Sequence, residues 1–523
     1  MRRFLWLFLF LALVAASWNI YLVGEFNDDV AYISLARSLS QGHAYLSESS
    51  PGAPAHQRFP PGLPILLSPA QWLSPQNYTL CRLVVVACSA LSMVLLASYT
   101  GGLAIPVLVG VHAYWLNNSS SVLSEQPFMV GLLLYLRAVE QPLTRRRSIF
   151  LGLGLGLVCL LRTVAIVLLP ATLLFHWRQG RRHLSWFLLG VALSAGPLVA
   201  RSLLTGYDGE LDKNRDLIHN VLENLQILPA RLGWMLLLSP DSVVGLPQWL
   251  GLLPLAVAAL GLWKMRRESC APAWVACCFA ILLAWPYPFT RLLLPLVPFL
   301  LMGLQRQLGP VRWLWVLLVV LNLAQSAWEI RLHPARANDP GVIRTIKALP
   351  PGSAISSSEM IWWLETGVPC VSSEPAQALT MEWDWLDRLR EGGVRLVVLY
   401  QKGRREEQRI VDSFQRRPHF YRLVYACPQA AVFAFQPPPG WLRSHTHQVV
   451  ARQLLKQGRP ELAVAVFQKA LQAAPYDFSA ASGLAYALVA SGQIQAARPL
   501  LEQVRRRDPD CGEAELVLRF LAR

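Results

Sequence analysis

Phe4-Leu5-Trp6-Leu7-Phe8-Leu9-Phe10-Leu11-Ala12-Leu13-Val14-Ala15-Ala16-Ser17-Trp18-Asn19-Ile20-Tyr21-Leu22-Val23 runs directly into Gly24-Glu25-Phe26-Asn27-Asp28-Asp29-Val30-Ala31-Tyr32. The first run is almost wholly apolar and, as a helix, about 30 Å long, enough to cross a bilayer. The second places three carboxylates where hydrocarbon gives way to water. Ionisable groups at that depth usually have a purpose. The same carboxylates also suit a helix start, where an acidic side chain accepts from free N–H groups. Arg2-Arg3 and the small Ala15-Ala16-Ser17 would fit a cleaved signal peptide. The run is long for a signal and further apolar runs follow, so a retained helix is expected.

Working outward, the 523 residues are 54% hydrophobic and 15% charged, against about 25% charged in soluble domains. Mean hydropathy is +0.36. This is the composition of an integral membrane protein with some soluble mass. The net charge of +16 gathers in short clusters between apolar runs, where it reports topology and not a nucleic-acid surface. About eleven spans are expected, near 4–23, 79–99, 102–116, 124–140, 149–161, 163–176, 184–203, 247–263, 272–287, 291–305 and 311–329. With Arg2-Arg3 in the cytoplasm, alternation also puts Arg145–Arg147, Arg178–Arg182, Lys264–Arg267 and Arg306 inside. That agreement requires 149–176 to be a hairpin of two short helices with Arg162 at its outer turn.

On this topology, loops 24–78, 117–124 and 204–246 face outward, the last with an amphipathic stretch from Leu217 to Leu238. The tail beyond 331 is also outside. From Asp339 to Phe435, short strands (353–356, 396–400) alternate with helices (357–365, 383–390), which predicts a small α/β domain. Pro437-Pro438-Pro439-Gly440 reads as a stiff linker. A 34-residue period follows, pairing Ala451 with Ala485, Gly458 with Gly492, Ala463 with Ala497, Phe467 with Leu501 and Pro475 with Pro509. That register resembles tetratricopeptide repeats. The expected domains are therefore 1–331, 332–440 and 441–523. None of the nine cysteines has metal-ligand spacing; Cys370 and Cys427 could pair in an oxidising compartment.

The first outer loop repays close reading. Asp28 to Gln41 presents Val30, Ile33, Leu35 and Leu39 on one helical face, Gly42 ends it, and prolines stiffen the later turn. The stretch Phe26-Asn27-Asp28-Asp29-Val30-Ala31-Tyr32-Ile33-Ser34-Leu35-Ala36-Arg37, with Gly42-His43-Ala44-Tyr45 and Arg58-Phe59-Pro60-Pro61-Gly62-Leu63-Pro64, resembles the first loop of GT-C glycosyltransferases. It is most similar to the branch of protein O-mannosyltransferases and lipid A aminoarabinose transferases. Ser124-Glu125-Gln126-Pro127-Phe128 resembles the family's short second outer loop. Gly152-Leu153-Gly154-Leu155-Gly156 with Leu161-Arg162-Thr163 resembles its glycine-rich hairpin. Tyr287-Pro288-Phe289-Thr290-Arg291 followed by a Leu/Pro run resembles its aromatic turn and arginine. The resemblance covers roughly residues 1–330.

The resemblance implies a polytopic α-helical membrane enzyme that takes a sugar from a polyprenyl-phosphate carrier on the outer face of a bacterial-type plasma membrane. It implies an essential first-loop carboxylate at Asp28 or Asp29, Asp28 being favoured, and a second acid at Glu125. Arg291, Arg162 and Arg58 would meet the carrier phosphate, since guanidinium stays charged and grips phosphate oxygens in pairs. Tyr45, His56 and Tyr287 are candidates for substrate contact. Each has a plainer reading: helix-dipole partner for Glu125, interfacial anchor for the arginines, hydrogen-bonding residue for His56. The acceptor would be a protein, a lipid or a glycan, and the repeats would offer a surface to a protein partner. No cofactor is called for. His43, His56 and Glu125 are of metal-ligand type, but their spacing has no diagnostic form, so a divalent metal stays an open alternative. The rivals are a lipid or solute transporter, and a membrane-anchored repeat scaffold.

Overall fold

The computed structural model describes residues 2–18, 23–24, 28–75, 77–179, 183–205, 217–238, 247–285, 290–309, 311–332, 339–357, 361–372, 386, 389–390, 392–400, 420–428, 430–437, 439–475, 477–507 and 518. The chain divides into two compact units. The first comprises Met1–Glu48 and Gly52–Ala337, the second Ser49–Pro51 and Asn338–Arg523.

Over the described residues, each of the eleven apolar segments is mainly helical. In the first unit the helices are α1 (Arg2–Ala16), α2 (Asp28–Ser40), α3 (Gly62–Leu73), α4 (Tyr78–Thr100), α5 (Ala104–Val111), α6 (Ala113–Ser119), α7 (Glu125–Val139), α8 (Arg145–Leu161), α9 (Leu168–Gln179), α10 (Leu184–Thr205), α11 (Leu217–Met235), α12 (Leu252–Met265), α13 (Ala271–Leu283), α14 (Val297–Leu308) and α15 (Arg312–Leu332). The region between α1 and α4 thus carries two helices of its own, and most of the amphipathic stretch at 217–238 is helix α11. Among the described residues, three helices are long and apolar enough to cross a membrane: Tyr78–Thr100, Gln248–Met265 and Arg312–Arg331. The others are shorter or broken. The segment expected at 102–116, for instance, divides at His112, whose backbone is extended between α5 and α6.

Small residues set the helix pairs. α8 lies against α10 because Gly152 and Gly190 leave no room for a methyl: a Cβ on Gly152 would overlap the Phe187 carbonyl, and one on Gly190 the Ile149 carbonyl. Gly156 meets Ser194 the same way, while Gly154 faces open space with only Tyr135 at 3.9 Å. α12 and α14 meet through Gly261 and Gly303. The expected break at Arg162 is present, with Arg162 extended (φ −151°, ψ 129°) between α8 and a 3-10 turn at Thr163–Val167. α9 then packs chiefly on α13 and does not fold back along α8. The core around Phe10, Trp115, Phe128, Trp274 and Phe299 is fully buried, while Phe4, Trp72, Trp263 and Trp313 are exposed.

In the second unit, strands β1 (Ala354–Ser357), β2 (Cys370–Ser372), β3 (Val394–Tyr400), β4 (Tyr421–Ala426) and β5 (Ala430–Phe435) form one sheet in the order β2-β1-β3-β5-β4. β1 runs parallel to β2 and β3; β5 is antiparallel to β3 and β4. Helices α16 (Pro340–Lys347) and α17 (Ile361–Thr366) accompany it. The helix expected at 383–390 falls largely outside the described residues. Cys370 and Cys427 do not pair: the sheet order puts Cys370 on one edge strand and Cys427 just past the other, and both are free. Burial pushes the Cys370 thiol up to about 12.

Pro439, the last of the prolines read as a linker, opens helix α18 (Pro439–Lys456), which is followed by α19 (Pro460–Ala473), α20 (Phe478–Ala490) and α21 (Ile494–Arg507). Trp441 packs edge-on against Phe420 at 5.5 Å, inside the α/β core. The 34-residue register is visible in the packing. Ala451 and Ala485, Ala463 and Ala497, and Phe467 and Leu501 are all fully buried. Gly458 and Gly492 turn the chain at φ +71° and +79°, a region that favours glycine. Asp477 caps α20 and also accepts from Ser444 Oγ (2.8 Å) and Gln448 Nε2 (2.7 Å), tying the first helix to the third.

Candidate active site

The charged side chains read from the motifs stand at helix ends or in turns. Asp28 opens α2 and Glu125 opens α7, where the helix dipole favours negative charge. Arg162 follows the last residue of α8, where it favours positive charge. Arg291 lies in the 3-10 turn Thr290–Leu296 that leads into α14, and Arg58 in the Pro-rich turn before α3. These five side chains line one cavity of about 130 Å³, together with Tyr32, Phe59, Ser124, Thr163, Trp285 and others.

The charges are paired within it. Arg291 Nη2 bonds to Asp28 Oδ2. Arg162 Nη1 is 2.9 Å from Glu125 Oε1 but not aligned as a hydrogen bond, and Arg291 Nε is 4.0 Å from the same oxygen. Glu125 is 2% exposed and, among the described residues, its Oε2 meets no hydrogen-bond partner. One acid therefore bridges two guanidiniums and keeps an unused oxygen. Removing one partner of such a buried pair costs about 3 kcal/mol or more, so Arg162 and Glu125 hold each other in place.

The two neighbouring aspartates part company. Asp28 faces the cavity. Asp29 is buried off it, accepting from Gly24 N (2.6 Å) and Val30 N (2.8 Å). Burial pushes its carboxyl up to about 7, against the pull of those two N–H donors. Tyr32, one helical turn beyond Asp28, donates to Ser124 Oγ at 3.4 Å, and burial raises its phenol above the ordinary range. It therefore stays a proton donor in the wall.

Tyr45 and His56 do not line the cavity. They brace the turn that does. His56 stacks on Phe59 (5.3 Å between ring centres, 16° between planes) and its Nε2 accepts from Phe59 N at 2.8 Å. Tyr45 OH donates to the carbonyls of Phe59 (3.3 Å) and Pro60 (3.2 Å). Tyr287 lies outside the described residues. His43 pairs with Glu48 at 3.1 Å. Among the described residues no three His, Cys, Asp or Glu side chains come together as a metal-ligand set. The sequence reading missed Tyr32, Phe59, Thr163 and Trp285. Tyr32 was within reach, since positions i and i+4 share a helix face with Asp28. Trp285 came from the end of a helix with no charge to mark it.

A tetratricopeptide repeat family model matches residues 454–519. A comparison with curated protein sequences found no match. Among solved structures, the chain is similar to ArnT from Cupriavidus metallidurans. The crystal structure bound to undecaprenyl phosphate matches with a TM-score of 0.50 at 14% identity, covering 83% of this chain and 98% of that one. The apo structure matches with a TM-score of 0.51 at 13% identity, covering 84% and 100%. That coverage exceeds residues 1–331 and takes in part of the second unit. The chain therefore has the fold expected from the GT-C resemblance, that of ArnT, over most of its length, with a tetratricopeptide repeat near its C-terminal end.

Proposed function

We propose that this chain is a membrane glycosyltransferase that moves a sugar from a polyprenyl-phosphate donor to an acceptor hydroxyl. The observation that carries the reading is the convergence of Asp28, Glu125, Arg58, Arg162 and Arg291, from distant parts of the sequence, on one cavity. The fold supports it, since ArnT in a matching structure is bound to undecaprenyl phosphate. In this reading the site opens on the outer face of a bacterial-type inner membrane, and the α/β and repeat regions, also outside, orient the acceptor or a protein partner.

The chemistry follows from the residue types. The acceptor oxygen attacks the anomeric carbon while the carbon–oxygen bond to phosphate breaks. Asp28, as general base, takes the hydroxyl proton as that bond forms. The departing phosphate keeps the electron pair, and the guanidiniums of Arg291, Arg58 and Arg162 stabilise the charge that develops on it. A phosphate leaving group needs no acid catalyst, unlike the two-carboxylate glycosidases. One displacement inverts the anomeric centre. Asp28 and Arg291 are paired with each other; the donor phosphate takes over Arg291 and releases Asp28 for the acceptor. Glu125 holds Arg162 and Arg291 at the spacing that receives the phosphate.

The test is donor turnover by the purified protein with a panel of polyprenyl-phosphate sugars. Asp28→Asn is expected to lower turnover by at least about 100-fold while leaving polyprenyl phosphate binding intact. Arg291→Ala is expected to weaken that binding. Full turnover in Asp28→Asn would overturn the assignment of the base, and a wild-type protein that neither binds nor turns over any such donor would overturn the reading.

A further inference from the structure

Arg58 is exposed and belongs to a turn between two prolyl segments, yet it forms part of the cavity wall. What holds it there is a knot of side chains around His56. The strand-like bridge between Leu46 and Ala55 brings the two arms of the loop together, with Ser47 N donating to Pro54 O and His56 N to Tyr45 O, each at 2.8 Å. Above it, His56 is bound on both ring nitrogens. Phe59 N–H donates to Nε2, so the ring proton is on Nδ1, which donates to Ser47 Oγ at 2.8 Å. Tyr45 meets the His56 ring edge-on at 5.6 Å and takes the two carbonyls after Arg58. Phe59 closes the knot, packed at 4.8 Å on Tyr32 and forming a face for the Arg58 guanidinium at 5.2 Å. The backbone on the C-terminal side of Arg58 is thus fixed by His56 and Tyr45.

We infer that His56 is a positioning residue for donor binding: it touches no substrate, and acts by holding Arg58 at the cavity rim where the carrier phosphate is received. This rests on the glycosyltransferase reading. The neutral ring with its proton on Nδ1 is the one form that can both accept from Phe59 N and donate to Ser47. A side chain with an acceptor where Nε2 lies should substitute for it; an alkyl side chain should not.

The experiment measures donor KM and kcat, and separately the binding of polyprenyl phosphate in detergent by ligand-induced thermal shift, on the full chain. His56→Ala is expected to raise donor KM and weaken polyprenyl phosphate binding by about tenfold, with kcat within about twofold. His56→Gln is expected to recover most of the loss. Tyr45→Phe, which removes only a hydroxyl, is expected to show a smaller change of the same kind and guards against misfolding of the alanine variant. The decisive arm is the double variant. Because His56 acts through Arg58, His56→Ala with Arg58→Ala should be no worse than Arg58→Ala alone. Additive losses, a fall in kcat at unchanged KM, or no recovery by glutamine would overturn the inference. If the wild-type protein neither binds polyprenyl phosphate nor turns over donor, both this inference and the functional reading fall. If it does both and His56→Ala is indistinguishable from it, only the inference falls.

Discussion

At the scale of single residues, the separation of Asp28 from Asp29 makes a prediction that needs no substrate. Asp29 has a folded-state carboxyl raised to about 7 from an ordinary value of 3.8. Between about pH 4 and 7 the folded chain keeps a proton that the unfolded chain has released. The folded state then binds more protons, so stability falls as pH rises through that window and levels off above it. Asp29→Asn is expected to flatten this slope in thermal unfolding at pH 4 to 7, and to leave donor turnover nearly unchanged. A slope that persists in the variant would place the titration elsewhere. The gathering of these acids and arginines was legible in the short motifs around each of them. The division of labour between Asp28 and Asp29 was not. Neighbours in sequence point about 100° apart on a helix, and nothing in the adjacent letters said which would face the cavity. Tyr45 and His56, candidates for substrate contact, bond to backbone atoms of Phe59 and Pro60 and to Ser47 Oγ, links that folding makes and adjacent letters do not show.

At the scale of elements, the apolar runs located the helices well because hydrophobic length and flanking charge act locally. Partner choice was less legible. The glycines of α8 announced a close neighbour, and that neighbour is α10, which the linear order of segments does not reveal. The packing makes a graded prediction. Gly152→Leu is expected to destabilise the protein by about 1–3 kcal/mol, since backbone of α10 lies where the side chain would go. Gly154→Ala, on the open face of the same helix, is expected to be neutral or mildly stabilising, because alanine is the better helix former. Thermal unfolding in one detergent, with the two variants compared side by side, checks this. Equal losses would mean that the α8–α10 contact does not limit stability.

At the scale of the whole molecule, the repeat period and the α/β alternation were both legible, but the join between them was not. Trp441, two residues beyond the run of prolines, is committed to the core of the α/β region, so the repeats begin already attached. Within the repeats, Asp477 serves three masters: the N-terminus of α20, Ser444 and Gln448. Asp477→Ala is expected to cost about 2 kcal/mol or more, from the lost cap and the stranded donors. Limited proteolysis should then cut between α18 and α21 earlier than in the wild type. Turnover with a small soluble acceptor should survive, because the described residues that line the charged cavity belong to the first unit. Its loss would show that the repeats do more than present an acceptor.

Among the described residues that line the cavity, three guanidiniums stand against two carboxylates. On the proposed function, the sugar-loaded carrier that meets this basic wall is a phosphodiester with a single negative charge. The spent carrier is a monoester, with about −1.5 to −2 at neutral pH, and is drawn in more strongly than the molecule it came from. A site balanced in this way holds on to its own by-product, so unloaded lipid should inhibit competitively and its escape should pace repeated cycles, more so as the medium becomes more alkaline.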